Sequence, residues 1–178
     1  MEADADRLLK IISGTEQAEN IIVFKLNEEI WSTSLENVAR VIRTKETTFH
    51  RHHSDIRFLH GFIFFQRKVV PVVTINRLLD LEEFGEITSR TAILICRIKD
   101  FVLGILVDDV LELIPTDESS ISTIPGGYLK DKYLFFTGAL NWRNEVCLHF
   151  EVDELFSDED VKILSEEGKK IEEGHEGA

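Results

Sequence analysis

The chain has 178 residues, 43% of them hydrophobic, and a formal charge of −13. That length fits one domain, or two small units sharing one core, and the apolar content is enough to fill it. An acidic chain repels a phosphate backbone, and no apolar run approaches the roughly 18 residues of a membrane span, so neither nucleic-acid binding nor direct membrane insertion is expected.

The first element is a short helix over Asp6–Ile12, stopped by Gly14, which clusters Leu8, Leu9, Ile11 and Ile12. Residues 1–18 are expected to form an N-terminal helical extension. The opening Met1-Glu2-Ala3-Asp4 lacks the basic and apolar regions of a signal peptide, so a cytoplasmic location is expected. Alternation of Ile22, Phe24 and Leu26 with Val23 and Lys25 predicts a strand, and Asn27-Glu28-Glu29 turns it into a second one over Ile30–Leu35.

Residues 59–75 are the most informative stretch. Gly61 opens an apolar run, Gln66-Arg67-Lys68 reverses the chain, and a β-branched run follows with Pro71 inside it, which predicts a hairpin. Phe62 and Phe64 alternate with Ile63 and Phe65, and Val69 and Val73 with Val70 and Val72, so both faces of each arm are apolar. A strand with one wet face alternates apolar and polar; this hairpin is covered on both faces, by its own chain or by a partner. Pro71 cannot donate to a ladder, which predicts an edge or a bulge where another protein could dock.

A second hairpin joins Ala92–Ile98 to Phe101–Val107 through Lys99-Asp100, and a third joins Phe135–Trp142 to Val146–Phe150 through Arg143-Asn144-Glu145. Ser157 followed by Asp160 marks a capped start for an acidic helix running toward Gly168, with Val161, Ile163, Leu164 and Ile171 as its apolar residues. Residues 157–178 hold 8 acids and 3 bases and read as an acidic helix or tail accessory to the strands. Many short strands and few helices predict an all-β fold, as barrels or a sandwich.

No constellation points to catalysis. No Ser or Cys sits in a nucleophile elbow, and Ser13-Gly14 and Pro125-Gly126-Gly127 read as turns rather than phosphate loops. His50, His52, His53 and His60 have no accompanying ligand pattern, so no metal or cofactor is expected. Asp108 and Asp109 read as a solvated strand end, Glu166 and Lys170 as a surface pair one helical turn apart, and Cys96 and Cys147 as small buried hydrophobes.

In order, these pieces resemble the CheW family of chemotaxis coupling proteins over residues 19–156. Gly61-Phe62-Ile63-Phe64-Phe65-Gln66-Arg67-Lys68-Val69-Val70-Pro71-Val72 is similar to the family's G-V-I-N-L-R-G-K-V-I-P-V, and Val102 to Val110 to its V-G-x-x-V-D-x-V. Val23–Leu26 resembles the opening strand, Val38-Ala39-Arg40-Val41-Ile42 the V-x-E-I element, and Thr137-Gly138 with Val146–Leu155 the closing strand and helix junction. The resemblance implies two small SH3-like β-barrels sharing one chain, with short terminal helices, and a non-enzymatic adaptor. Its implied partners are a chemoreceptor cytoplasmic tip and the regulatory domain of a chemotaxis-type histidine kinase, so it would be recruited to membrane-associated receptor arrays. It implies a receptor side at Val38, Arg40, Gly61, Phe62, Gln66 and Arg67, and a kinase side at Leu103, Gly104 and Ile105. The chain departs from the pattern at three of these positions: Arg40 replaces an acid, Gln66 an arginine and Arg67 a glycine. Such changes either abolish receptor binding or retune it, and losing the glycine predicts a different turn type or a one-residue shift in loop length. A divergent module serving another signalling complex, such as pilus-type motility or a receptor-independent kinase, and an orphan small-ligand β-barrel remain as alternatives.

Overall fold

The computed structural model describes residues 20–51, 54–81, 83–115, 121–124 and 135–176. The expected N-terminal helix, His52, His53 and the turns at 13–14 and 125–127 lie outside them. Among the described residues, eleven strands form two sheets. The first takes strands from both ends of the chain, in the order β8 (Asp109–Pro115), β1 (Asn20–Leu26), β2 (Glu29–Ser34), β11 (Glu145–Phe150), β10 (Phe136–Trp142) and β9 (Ser122–Thr123). The second takes its middle, in the order β3 (Val38–Arg43), β6 (Ala92–Ile98), β7 (Phe101–Val107), β5 (Lys68–Val73) and β4 (Leu59–Phe65). The helices are α1 (Ile75–Leu78), α2 (Val152–Leu155) and α3 (Asp158–Glu176).

Three apolar clusters explain why so many strands are apolar on both faces. A large shared core joins the sheets through Ile22, Phe24 and Trp31 on one side and Leu94, Cys96, Leu103 and Ile105 on the other. A second cluster, Ile42, Ile63, Val70, Val72, Ile93, Ile95 and Leu106, fills the far face of the second sheet. A third, Ile21, Val23, Leu140 and Cys147, fills the far face of the first. Successive side chains alternate between faces, so each central strand serves two clusters. Ile42 on β3 and Ile63 on β4 belong to one cluster although their strands are the two ends of the sheet, which requires strong curvature. The first sheet curls likewise: Glu112 on β8 accepts a hydrogen bond from Trp142 Nε1 on β10 at 2.7 Å. Each sheet is thus barrel-like, and among the described residues neither ladder closes.

All four short hairpin loops contain two residues. Leu26 pairs with Glu29 and Trp142 with Glu145, so Glu29 and Glu145 belong to strands rather than turns. Phe65 pairs with Lys68, leaving Gln66-Arg67 as the loop, with φ of 48° and 65°. Two left-handed residues match the right-handed strand twist, as in a type I′ turn. The loop therefore holds two residues with no glycine, and Gln66 and Arg67 both bear the backbone cost of the left-handed region.

Pro71 lies on β5, which is internal, not an edge strand. Its ladder to β7 begins only at Val72, paired with Gly104, so the missing N–H falls where no β7 partner is needed. The stretch of β5 before that point is covered by α3, whose Glu172 accepts the Val69 N–H at 3.4 Å. A reciprocal box starts this helix, Asp160 N donating to Ser157 Oγ at 3.1 Å and Ser157 N to Asp160 Oδ2 at 3.0 Å. The helix runs through Gly168, which is buried, and Leu164 is fully buried in the shared core with Val161 and Ile171 packed on it. Ile163 points outward instead, and Lys170 pairs with Glu167 rather than Glu166, at 3.3 Å.

Candidate functional site

Curvature of the second sheet brings β3 and β4 together and with them the charged part of the predicted receptor side. The guanidinium carbon of Arg40 lies 5.7 Å from the ring centroid of Phe65, a cation–π contact. Phe65 leads directly into the Gln66-Arg67 turn. Arg40, Gln66, Arg67 and Lys68 are all exposed, so three cations cluster on one margin of an acidic chain. The other three predicted residues lie beneath this surface. Val38 and Phe62 are buried in the shared core. Gly61 is buried where a side chain could not fit easily, because a Cβ there would stand 3.2 Å from the carbonyl oxygen of His50. That close approach lets His50 exchange two backbone hydrogen bonds with Phe62, at 2.7 and 2.9 Å, which pairs off part of the β4 edge.

Histidine rings finish this edge. His50 stacks edge-on against Phe64 with centroids 5.0 Å apart, and His60 against Phe49 at 5.1 Å. Burial, then the charges of Arg77 and Arg51, hold the His60 pKa below its usual range. Phe64 is 42% exposed, so one face of the hairpin is only partly covered.

The predicted kinase side is packed inward. Leu103 and Ile105 are fully buried in the shared core and offer a partner no side-chain surface. Gly104 faces the opposite cluster, where a Cβ would lie 2.6 Å from Ile93 Cγ2 and 3.2 Å from Val72 Cγ2. Glycine is needed there for close packing of neighbouring strands.

Asp108 and Asp109 are not a free solvated pair. Asp108 Oδ2 accepts the Asn27 N–H at 2.6 Å and fixes the β1–β2 turn, while Asp109 pairs with Arg43 at 3.3 Å. Burial raises the Asp108 pKa, against the lowering effect of that hydrogen bond. These acids, with Lys25, Glu28, Glu83 and Arg90, line a polar groove of about 450 Å³.

One buried chain of polar groups left no local signature among the residues that form it. Ser32 Oγ lies 3.0 Å from His149 Nδ1, His149 Nε2 lies 2.9 Å from Glu151 Oε1, and Ser34 Oγ donates to the same oxygen at 2.8 Å. A carboxylate only accepts, so in the neutral ring Nε2 carries the hydrogen and Nδ1 accepts from Ser32. Burial alone would raise the Glu151 pKa, but the hydrogen bonds from His149 and Ser34 and the charge on His149 outweigh it and lower it. The order Ser–His–Glu matches a nucleophilic triad, yet Ser32 is fully buried and no substrate carbonyl can approach its Oγ. The chain is a strut joining β2 to β11 across their parallel ladder. Strict alternation would have flagged Ser32, Ser34 and His149 only once β2 and β11 were known to be neighbours. Cys96 and Cys147 are both pushed up in pKa by burial, which disfavours their thiolates. Among the described residues no group of three or more His, Cys, Asp or Glu could hold a metal, and no helix is long and apolar enough to cross a membrane.

The model of the CheW-like domain matches residues 20–160. This chain belongs to the CheW-like family. It is 31% identical to the chemotaxis protein CheW of Bacillus subtilis (strain 168) over 113 residues, which cover 64% of this chain and 70% of that one. It is 22% identical to the CheW of Thermotoga maritima over 158 residues, covering 86% and 98%. The crystal structure of the scaffolding protein TtCheW from Thermoanaerobacter tengcongensis superposes with a TM-score of 0.68 at 23% identity, covering 81% of this chain and 96% of that one. The two-sheet arrangement is therefore the CheW fold.

Proposed function

We propose that this CheW-like chain is a non-catalytic adaptor that couples a chemoreceptor cytoplasmic tip to the regulatory domain of a chemotaxis-type histidine kinase, in the cytoplasm at membrane-associated receptor arrays. The observation that carries this reading is the contact of Arg40 with Phe65 beside the Gln66-Arg67 turn, an exposed basic margin on family-matched positions of an acidic protein. Val38, Gly61 and Phe62 support that margin from below. The receptor face it fits is locally acidic. On the kinase side, Leu103, Gly104 and Ile105 shape β7, and contact falls to accessible neighbours such as the half-exposed Phe101. Function is simultaneous binding: two surfaces fixed by one shared core pass receptor movement to the kinase as a change in contact geometry, with coupling limited to what the two states differ in.

The cation at Arg40, where the family carries an acid, favours one second reading, a CheW-like module retuned for another signalling complex. A pull-down from native cells separates them. Recovery of kinase and receptor supports the adaptor, recovery of a kinase alone supports the retuned module, and recovery of neither removes both.

A further inference from the structure

Arg40 owes its place to an irregularity in its own strand. β3 pairs Val38 with Cys96 and then Arg40 with Ile95, so one extra residue, Ala39, makes a β-bulge. Val38 faces the shared core, and in a regular strand Arg40, two residues on, would share that face. The bulge shifts the alternation: Val41 returns to the shared core, and Arg40 falls in phase with Ile42 of the second cluster, on which Phe65 also packs. β3 is an end strand with a single ladder, to β6, and the bulge leaves that ladder irregular. Its two ends are pinned by side chains. The chain leaves the first sheet for β3 at Ser34, whose Oγ donates to Glu151 Oε1 at 2.8 Å, and only the 3-10 turn Leu35–Asn37 lies between Ser34 and Val38. His149, itself braced by Ser32, holds the same carboxylate oxygen at 2.9 Å. At the other end Arg43, the last residue of β3, pairs with Asp109, the first residue of β8 in the first sheet, at 3.3 Å. The adjacent Asp108 ties this point to the β1–β2 turn through the Asn27 N–H.

We infer that Glu151 and Asp109 are positioning residues of the receptor side, clamping the two ends of β3 so that its bulge keeps one register and Arg40 stays on Phe65. The role rests on the adaptor reading and names what holds its receptor side in shape. A bulged end strand with loose ends can slip by one residue, and the slip would turn Arg40 back to the face of Val38. With Ser34 fixed at one end and Arg43 at the other, the slip is barred. Neither carboxylate belongs to the basic margin, so both act on the partner through β3 and Arg40.

The test uses the full chain and, as probe, the soluble cytoplasmic fragment of a methyl-accepting receptor from the same cell. S34A, which frees Glu151 from the chain leading to β3, and D109N are each expected to bind it about two- to fivefold more weakly, the scale of one half-exposed pair. In an R40A background neither is expected to weaken binding further, because a residue that acts through Arg40 has nothing left to position. D158N breaks an exposed pair with Lys99 elsewhere and is expected to bind like the parent. In the free chain, amide exchange at Ala39 and Arg40 is expected to quicken in S34A and D109N and to stay unchanged in D158N. Losses that add to that of R40A, parent-like binding or parent-like exchange at the bulge in S34A and D109N, or equal weakening by D158N overturn the clamps and leave the adaptor reading standing. Parent-like binding by R40A, or no binding by the parent, overturns the receptor side itself, and the clamps with it.

Discussion

Arg40 and Phe65 occupy the two end strands of the second sheet, and the guanidinium carbon of one stands 5.7 Å from the ring centroid of the other. One contact both seals the curl of the sheet and fixes a cation at the proposed receptor face. Its two roles separate by mutation. Arg40→Ala should cost at most about 1 kcal/mol of stability, as an exposed cation–π pair does. If the receptor buries and pairs this arginine, the same change should weaken binding by about 2–5 kcal/mol. Urea melts and calorimetric titration measure the two effects. Partner binding should be more sensitive to Arg40 and Arg67 than to any histidine, so a larger effect from His50→Ala would move the contact to the segment before β4.

Arg67 holds a left-handed backbone at φ 65°. Arg67→Gly should stabilise the fold by about 1 kcal/mol, because glycine adopts that conformation without a Cβ penalty. The denaturation midpoint should rise while receptor affinity falls, and a lowered midpoint would contradict the strain.

Gly104→Ala places a methyl group 2.6 Å from Ile93 Cγ2. Overpacking of this kind should cost about 1–3 kcal/mol in urea melts. A variant that melts like the parent yet loses kinase binding would restore Gly104 as a contact residue. Leu164→Ala, which empties a fully buried site in the shared core, should cost about 2–5 kcal/mol, and a change within error would make α3 a dispensable appendage.

Stability should fall on acidification in two steps. The folded pKa of His60 lies below its ordinary 6.5, so the unfolded chain binds the proton first and stability drops as pH falls below that value. The folded pKa of Glu151 lies below its ordinary 4.5, so its contribution is present above that value and is lost as pH falls through the depressed one. Asp108 opposes this, because its raised folded pKa gives a contribution present below 3.8 and lost as pH rises through the folded value. Chemical denaturation from pH 7 to 3 should show a shallower upper slope for His60→Asn and a shallower lower slope for Glu151→Gln. Asp108→Asn should steepen the lower one, and parallel profiles for all three variants would discard these assignments.

The residues themselves determined the local elements and the family. Ala92–Ile98 and Phe101–Val107 are read as strands with their observed bounds, and Ser157 with Asp160 as a helix start, because periodicity, turn chemistry and capping act between near neighbours. Apolar residues on both faces of the 59–75 hairpin announced that each of its arms would be covered twice. Only the tertiary structure decided what covers it: the curl that sets Arg40 on Phe65, the helix that lays Glu172 on Val69, the packing that makes Gly104 a core residue, and the parallel ladder that joins Ser32 to His149. Each of these pairs distant segments, and their meeting depends on sheet order and curvature, which no local pattern of side chains encodes.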